Sequence, residues 1–182
     1  PHGGVRAGVV GDMLASVGPR RVVVVGSANV DLVVDISHRP VAGETIIGSD
    51  LTTTPGGKGA NQAVAASKLG ADVAFIGCIG NDASGQLLRE SLVTAGADVS
   101  MLRTVTAPTG TAIIMVTPDG NNSIIVAPGA NRCLTTAALE ESRSLWQGAA
   151  VLVAQREIPL NTVGYRAHRA ELAGVRGVAS AR

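Results

Sequence analysis

Three short runs in this sequence carry side chains able to hold a ligand, and the strongest is Pro55-Gly56-Gly57-Lys58-Gly59-Ala60-Asn61. Glycines at a junction between loop and helix let a ligand approach the main chain, and the amides of a first helical turn have no partner inside the helix. Lys58 adds a positive charge, and Asn61 adds a donor and an acceptor on the first turn. Together they suit an anionic or polyhydroxylated ligand. The run is not a Walker loop, which requires glycine, four residues and then Gly-Lys-Ser/Thr. Thr52 stands at the first glycine position and Gly59 follows the lysine, so nucleotide cradling is rejected at this point of the chain.

The second run is Gly26-Ser27-Ala28-Asn29-Val30-Asp31, which follows four consecutive valines. Ligands of open α/β sheets bind just past the carboxyl ends of the strands. Asn29 and Asp31 are two residues apart, so on an extended chain they point to the same side. A carboxylate beside an amide suits a vicinal diol. Taken alone, the run also fits a polar turn, and it lacks the Gly-x-Gly-x-x-Gly spacing of a dinucleotide site. The third run, Gln155-Arg156-Glu157-Ile158-Pro159, follows another apolar strand and places Glu157 on the same rim, where it could hold a hydroxyl, help to place a metal or simply face solvent.

The remaining chemistry-bearing residues are sparse. His2, His38 and His168 are isolated, without metal-ligand spacing, and read as surface histidines. Cys78 and Cys133 sit far apart in apolar contexts and read as reduced thiols of a cytoplasmic protein. Asn121-Asn122-Ser123 matches a glycosylation pattern but reads as a hairpin turn. No Gly-x-Ser-x-Gly run provides a hydrolase nucleophile.

The elements that must position these runs follow from pattern. Val22 to Val25 reads as a buried parallel strand, with further strands expected at 32–36, 44–51, 73–76 and 149–154. Ala60 to Leu69 reads as a helix stopped by Gly70. A second helix runs to about Thr94 from a Ser84 cap, and a third from Thr135 or Thr136 to near Gly148, with another beginning after Pro159. Residues 101–105 and 111–116 read as extended, the latter pairing with 123–126 across Asp119-Gly120-Asn121. The order gives an α/β core with a small inserted β-sheet.

The chain has 182 residues, of which 46% are hydrophobic, 16% charged and 2% aromatic. That is enough for one domain with an aliphatic core, and it argues against a stacking surface for single-stranded nucleic acid. No run approaches the ~18 apolar residues of a membrane span. The net charge is +1, with both ends basic and residues 22–161 carrying −4. A basic end suits a nucleic-acid or membrane arm, or coding sequence at the edge of a fragment.

The three runs together resemble the ribokinase-like (phosphofructokinase-B type) sugar kinases. Gly26 to Asp31 is similar to the first sugar-contacting segment of that family, and Pro40-Val41-Ala42-Gly43-Glu44-Thr45 to its Pro-Gly-Glu-Thr approach to the lid. Gly56 to Ala66 is similar to the N-terminal signature, with Gly70 and Gly80 in step. Ala71 to Gly85, Thr109 to Ala112 and Gln155 to Pro159 continue the resemblance, which covers about 22–161 and is closest to members acting on ribose. It implies an incomplete Rossmann-type α/β core of ribokinase-like fold with a β-sheet lid at about 32–51 and 101–126. It also implies that Asn29, Asp31, Gly57, Lys58, Gly59, Asn61 and Glu157 bind D-ribose. The implied activity of the intact parent is phosphorylation of D-ribose to ribose 5-phosphate by ATP with Mg²⁺ and K⁺, in a homodimer formed through the lid. A fructokinase or adenosine kinase, or a non-catalytic sugar-binding and dimerisation module, are the other readings.

Two departures qualify that expectation. The family's Gly-Ala-Gly-Asp run, which implies the catalytic base and an anion hole, does not occur in this sequence, so the 182 residues are expected to be inactive alone and to bind neither nucleotide nor metal well. Residues 162–182 diverge and reach no strand with an Asn-Pro segment, which reads as a truncated or frameshifted end, and residues 1–21 read as a poorly ordered extension. Arg156 puts a charge where the family prefers an apolar residue. About three core strands can be named, with an uncovered sheet edge that invites aggregation.

Overall fold

The computed structural model describes residues 21–155, 157–165 and 175–179. The expectations that fall on 1–20, on Arg156, on 166–174 with His168, and on 180–182 lie outside the described residues. In chain order the elements are strands β1 (Val22–Val25), β2 (Asn29–Asp35) and β3 (Thr52–Gly56), helix α1 (Lys58–Lys68), strand β4 (Val73–Gly80) and helix α2 (Ala83–Thr94). Strands β5 (Leu102–Val105), β6 (Gly110–Val116) and β7 (Asn122–Ala127) follow, then a 3-10 helix (Gly129–Cys133), helices α3 (Thr136–Glu141) and α4 (Arg143–Trp146), and strands β8 (Val151–Ala154) and β9 (Arg176–Ala179). Residues 160–165 are helical.

The core sheet is parallel in every pairing, with order β5-β4-β1-β8-β9. The four valines of β1 lie between β4 and β8, with Val22 in register with Val73 on one side and Val151 on the other. Such a strand is covered on both faces, which is why it reads as an uninterrupted β-branched run. Val23 and Val25 face one apolar layer with Ile76, Leu139 and Trp146. Val24 faces the other with Phe75, Leu88 and Leu92. Arg21, at the mouth of β1, bonds Asp72 at 3.0 Å and Asp98 at 2.9 Å, and its carbonyl takes the amide of Ala150, so it belongs to the fold rather than to an extension.

A second sheet of order β3-β2-β6-β7 forms the lid. β2 pairs antiparallel with β3 and parallel with β6, and β6 pairs antiparallel with β7. The expected strand at 44–51 is absent: residues 44–51 form no ladder, and pairing starts at Thr52. The β-branched run Thr52-Thr53-Thr54 supplies that strand, and Pro55 is tolerated because β3 is an edge. β5 was expected in the lid, but it joins the core sheet beside β4.

Other expectations shift for local reasons. β4 runs through Gly77 to Gly80, because Gly77 is a packing glycine and not a stop: a methyl group there would sit 2.7 Å from the Phe75 ring and 3.0 Å from the Gly26 carbonyl. The third helix breaks at Ser142, whose hydroxyl donates to the Ala138 carbonyl at 2.9 Å and competes with the helical ladder. Five core strands are present where three could be named; the fifth, β9, falls in the divergent segment and pairs with β8, and that segment contains no Asn-Pro. His38 is exposed and bonds Glu44 at 2.9 Å. Cys78 is buried in β4 and Cys133 half-buried in the 3-10 helix; burial, with a smaller push from Cys133, lifts the Cys78 thiol to about 11. No helix among the described residues is long and apolar enough to cross a membrane.

Asp82, not Ser84, caps α2, accepting from the Gly85 amide at 2.7 Å. It also accepts from the Thr109 amide at 2.8 Å and the Thr109 hydroxyl at 2.6 Å, tying α2 to the start of β6. Partial burial pushes its carboxyl up, but the bonds from Thr109 and Gly85 outweigh burial and hold it below the usual range. A depressed carboxyl contributes stability above the ordinary aspartate value and loses that contribution as pH falls through the folded value. Asp82→Ala should therefore cost about 1–2 kcal/mol at neutral pH. In urea unfolding the gap between variant and parent should close as the buffer is acidified.

Candidate functional site

The carboxyl ends of β1 and β8 and the start of α1 meet at one rim. Ser27, fully buried, joins them. Its carbonyl accepts the Ala60 amide at 2.9 Å, and its hydroxyl donates to Glu157 at 2.8 Å while lying 3.4 Å from the Gly59 amide. Two first-turn amides of α1 are therefore spent inside the protein, contrary to the expectation that they are free donors. What α1 still offers a ligand is the Lys58 amide, which has no partner among the described residues, and the Lys58 and Asn61 side chains.

This approach is possible only without side chains. Gly57 has φ +88°, and a methyl group there would lie 2.7 Å from the Asn29 amide nitrogen. Gly59 lies behind the rim, where a methyl group would come within 2.8 Å of Gly26 and 2.6 Å of Gln155. Gln155 is itself almost fully buried and donates to Gln62 at 3.2 Å, fastening β8 to α1.

The rim opens on a cavity of about 140 Å³. Asn29 and Asp31 line one wall from alternate positions of β2, as the spacing predicts. Gly57, Lys58 and Asn61 line the next, and Glu157 closes the rim. Ala112, Ile114, Ile124 and Val126 supply an apolar cover from the inward side of the lid. Six of the seven predicted residues thus converge on one space, and Gly59 serves the packing behind it. The cavity lies well below the ~300 Å³ at which drug-sized pockets begin, so it suits a monosaccharide better than a nucleotide.

Charges in the cavity are arranged for hydroxyl groups. Glu157 is held by Ser27 and by Lys58 at 3.3 Å. The Asp31 carboxyl sits over Gly56, where any β-carbon would overlap it. Burial, and then the charge of Glu157, push Asp31 above the usual aspartate value, and among the described residues no hydrogen bond offsets them. A carboxylate without donors beside a second carboxylate is an acceptor waiting for hydroxyl protons. Asn29 accepts from Asn131 at 2.7 Å. Asn131 and Ser27 are site-supporting residues that reading the sequence did not assign. Ser27 sits inside a recognised run, whereas Asn131 follows a Pro-Gly turn with no signal of its own.

The model of pfkB family carbohydrate kinases matches residues 19–171. The chain belongs to the pfkB family. That match extends beyond residue 161, where the resemblance read from the sequence fades. Among curated pfkB-type relatives, ribokinase of Haemophilus influenzae is 40% identical over 156 residues, covering 85% of this chain and 51% of its own length. Ribokinase of Bacillus subtilis is 41% identical over 145 residues, covering 79% and 49%. The chain thus spans about half the length of the curated relatives it matches. Among solved structures, Arabidopsis thaliana ribokinase complexed with ribose and ATP superposes with a TM-score of 0.79 at 38% identity, over 90% of this chain and 53% of that one. Thermotoga maritima ribokinase gives 0.77 at 34%, over 88% and 51%. The parallel core with its second small sheet is the ribokinase-like fold.

The Asp31 environment gives a pH signature. The folded chain keeps this proton longer than the unfolded chain, so ionisation costs stability as pH rises from the ordinary aspartate value through the folded one. A carboxyl-resolved NMR titration should find Asp31 above the ordinary value. Glu157→Gln should lower it only part of the way, because burial is the larger cause; a full return to the ordinary value would contradict the geometry.

Proposed function

We propose that the chain forms the acceptor-sugar side of an ATP-dependent ribokinase-type enzyme, and that the cavity binds D-ribose. The observation that carries this is the convergence of Asn29, Asp31, Lys58, Asn61 and Glu157 on a cavity of about 140 Å³ under an apolar lid. Asp31 and Glu157 accept from sugar hydroxyls, and Lys58 and the amides of Asn29 and Asn61 supply donors. Ile114, Ile124 and Val126 line the apolar side of the cavity, and Ile124 and Val126, 51% and 46% exposed in the empty chain, gain cover when a sugar ring packs against them. Similarity to ribokinases at about 40% identity supports ribose over fructose or a nucleoside.

ATP, Mg²⁺ and K⁺ complete the reaction of the parent enzyme in this proposal. The residues present do not fit those groups. The sequence contains no Gly-Ala-Gly-Asp run, and no group of three or more His, Cys, Asp or Glu converges among the described residues. Phosphoryl transfer is catalysed mainly by positioning the reactants and neutralising phosphate charge. The contribution of these 182 residues is the first of these, applied to the acceptor. The outward side of the lid presents Ile113 and Ile125, which are 40% and 57% exposed, and the proposal assigns that side to a second copy of the chain. Sedimentation should then show a dimer that Ile125→Lys dissociates.

Calorimetry should show ribose binding to the chain in preference to fructose and adenosine, and Asp31→Asn should weaken it about 10- to 100-fold. Affinity should also fall as acid protonates Asp31, and ATP-dependent formation of ribose 5-phosphate by the 182 residues alone should be undetectable. Equal binding of ribose by the parent and by Asp31→Asn would end the proposal.

A further inference from the structure

The Asn131 side chain is only 2% exposed, yet every polar atom on it is used. Its Oδ1 accepts from the Ala28 amide at 2.9 Å. Its Nδ2 donates to the Asn29 Oδ1 at 2.7 Å, to the Pro128 carbonyl at 3.0 Å and to the Ala28 carbonyl at 3.3 Å. The orientation of this amide follows from its partners. Turned over, it would set its oxygen against three oxygens and its NH₂ against an N–H.

That fixed orientation dictates a second one. Asn29 faces the cavity and is itself almost fully buried. Because its oxygen is held by Asn131, its own NH₂ is the group left for the cavity. The neighbouring cavity residues Asp31 and Glu157 are carboxylates, so a donor at Asn29 gives the wall a defined alternation that an acceptor there would erase. The contact also constrains the lid. Asn29 is in register with Gly110, the first residue of β6, and a β-carbon at Gly110 would overlap both the Asn131 nitrogen and the Asn29 oxygen.

We infer that Asn131 is a positioning residue for the ligand site, fixing the Asn29 amide so that it donates into the cavity and selects a ligand oxygen with a free lone pair. The ligand arm of its test rests on the proposed ribose reading; a second arm needs no ligand. In the full chain, side-chain amide exchange followed by NMR should show the Asn131 NH₂ protected and the Asn29 NH₂ exchanging freely. Slow exchange at Asn29 in the parent protein would overturn the inference without any variant. Asn131→Asp keeps the acceptor for Ala28 but sets an oxygen against the Asn29 oxygen. Asn29 must then turn over, and its NH₂ should exchange about tenfold more slowly.

The ligand arm is a double-mutant cycle read by ribose affinity. Asn131→Asp should weaken binding about tenfold in the parent but less than about twofold in the Asn29→Ala background, because the effect passes through Asn29. Equal losses in both backgrounds would mean a purely structural role and would overturn the inference. Gly110→Ala disturbs the same contact from a third residue and should follow the same pattern; it decides the question if Asn131→Asp does not fold. If the parent binds no ribose, the proposed ligand fails, and the exchange measurements alone decide the role of Asn131.

Discussion

The fold and the site share one constraint, the close seating of the Gly26-Ser27-Ala28 turn against the start of α1. Ser27 spends its carbonyl on Ala60 and its hydroxyl on Glu157, so β1, α1 and the segment after β8 are bound at a single residue. Gly26 and Gly59 pass too closely for any side chain between them. A buried hydroxyl with complete partners is stabilising and directional, whereas a half-satisfied one would be costly. The turn leaves β2 pointing away from the core sheet into the lid, and so Asn29 and Asp31 become the wall of a cavity rather than part of a central strand.

The electrostatics of that cavity run against the stability of the empty protein. Two carboxylates face one space, and only Glu157 has Ser27 and Lys58 as protein partners. Lys58 is half exposed, so its attraction to Glu157 is screened and modest. The unfavourable interactions are those that a ligand rich in hydroxyl groups relieves, the usual trade between a stable empty site and a binding one.

Much of this could be read from residues in order, and the failures share a cause. The valine run of β1, the glycine-rich start of α1 and the alternation of Asn29 with Asp31 are local signals, each complete within a few residues. The β3 strand was misplaced because residues 44–51 look extended by composition, whereas a strand exists only where β2 offers a ladder. β5 was assigned to the wrong sheet because sequence proximity to β6 says nothing about pairing with β4. Two of the predicted free amides of α1, those of Gly59 and Ala60, were already claimed by Ser27, some thirty residues earlier in the chain. Asn131 is the clearest case. Its importance lies in partners about a hundred residues away, and nothing in its neighbourhood announces them.

The two thiols give the molecule a built-in experimental handle. Cys78 is sealed in the core and its thiol is held near 11, so almost none of it is the nucleophilic thiolate at neutral pH. Cys133 is half-buried and sits at the end of the 3-10 helix that carries Asn131. A thiol-reactive fluorophore or spin label is thus directed to one position without engineering, two residues from the amide that orients the cavity wall. A probe placed there reports on the surroundings of that short helix in the unmodified sequence.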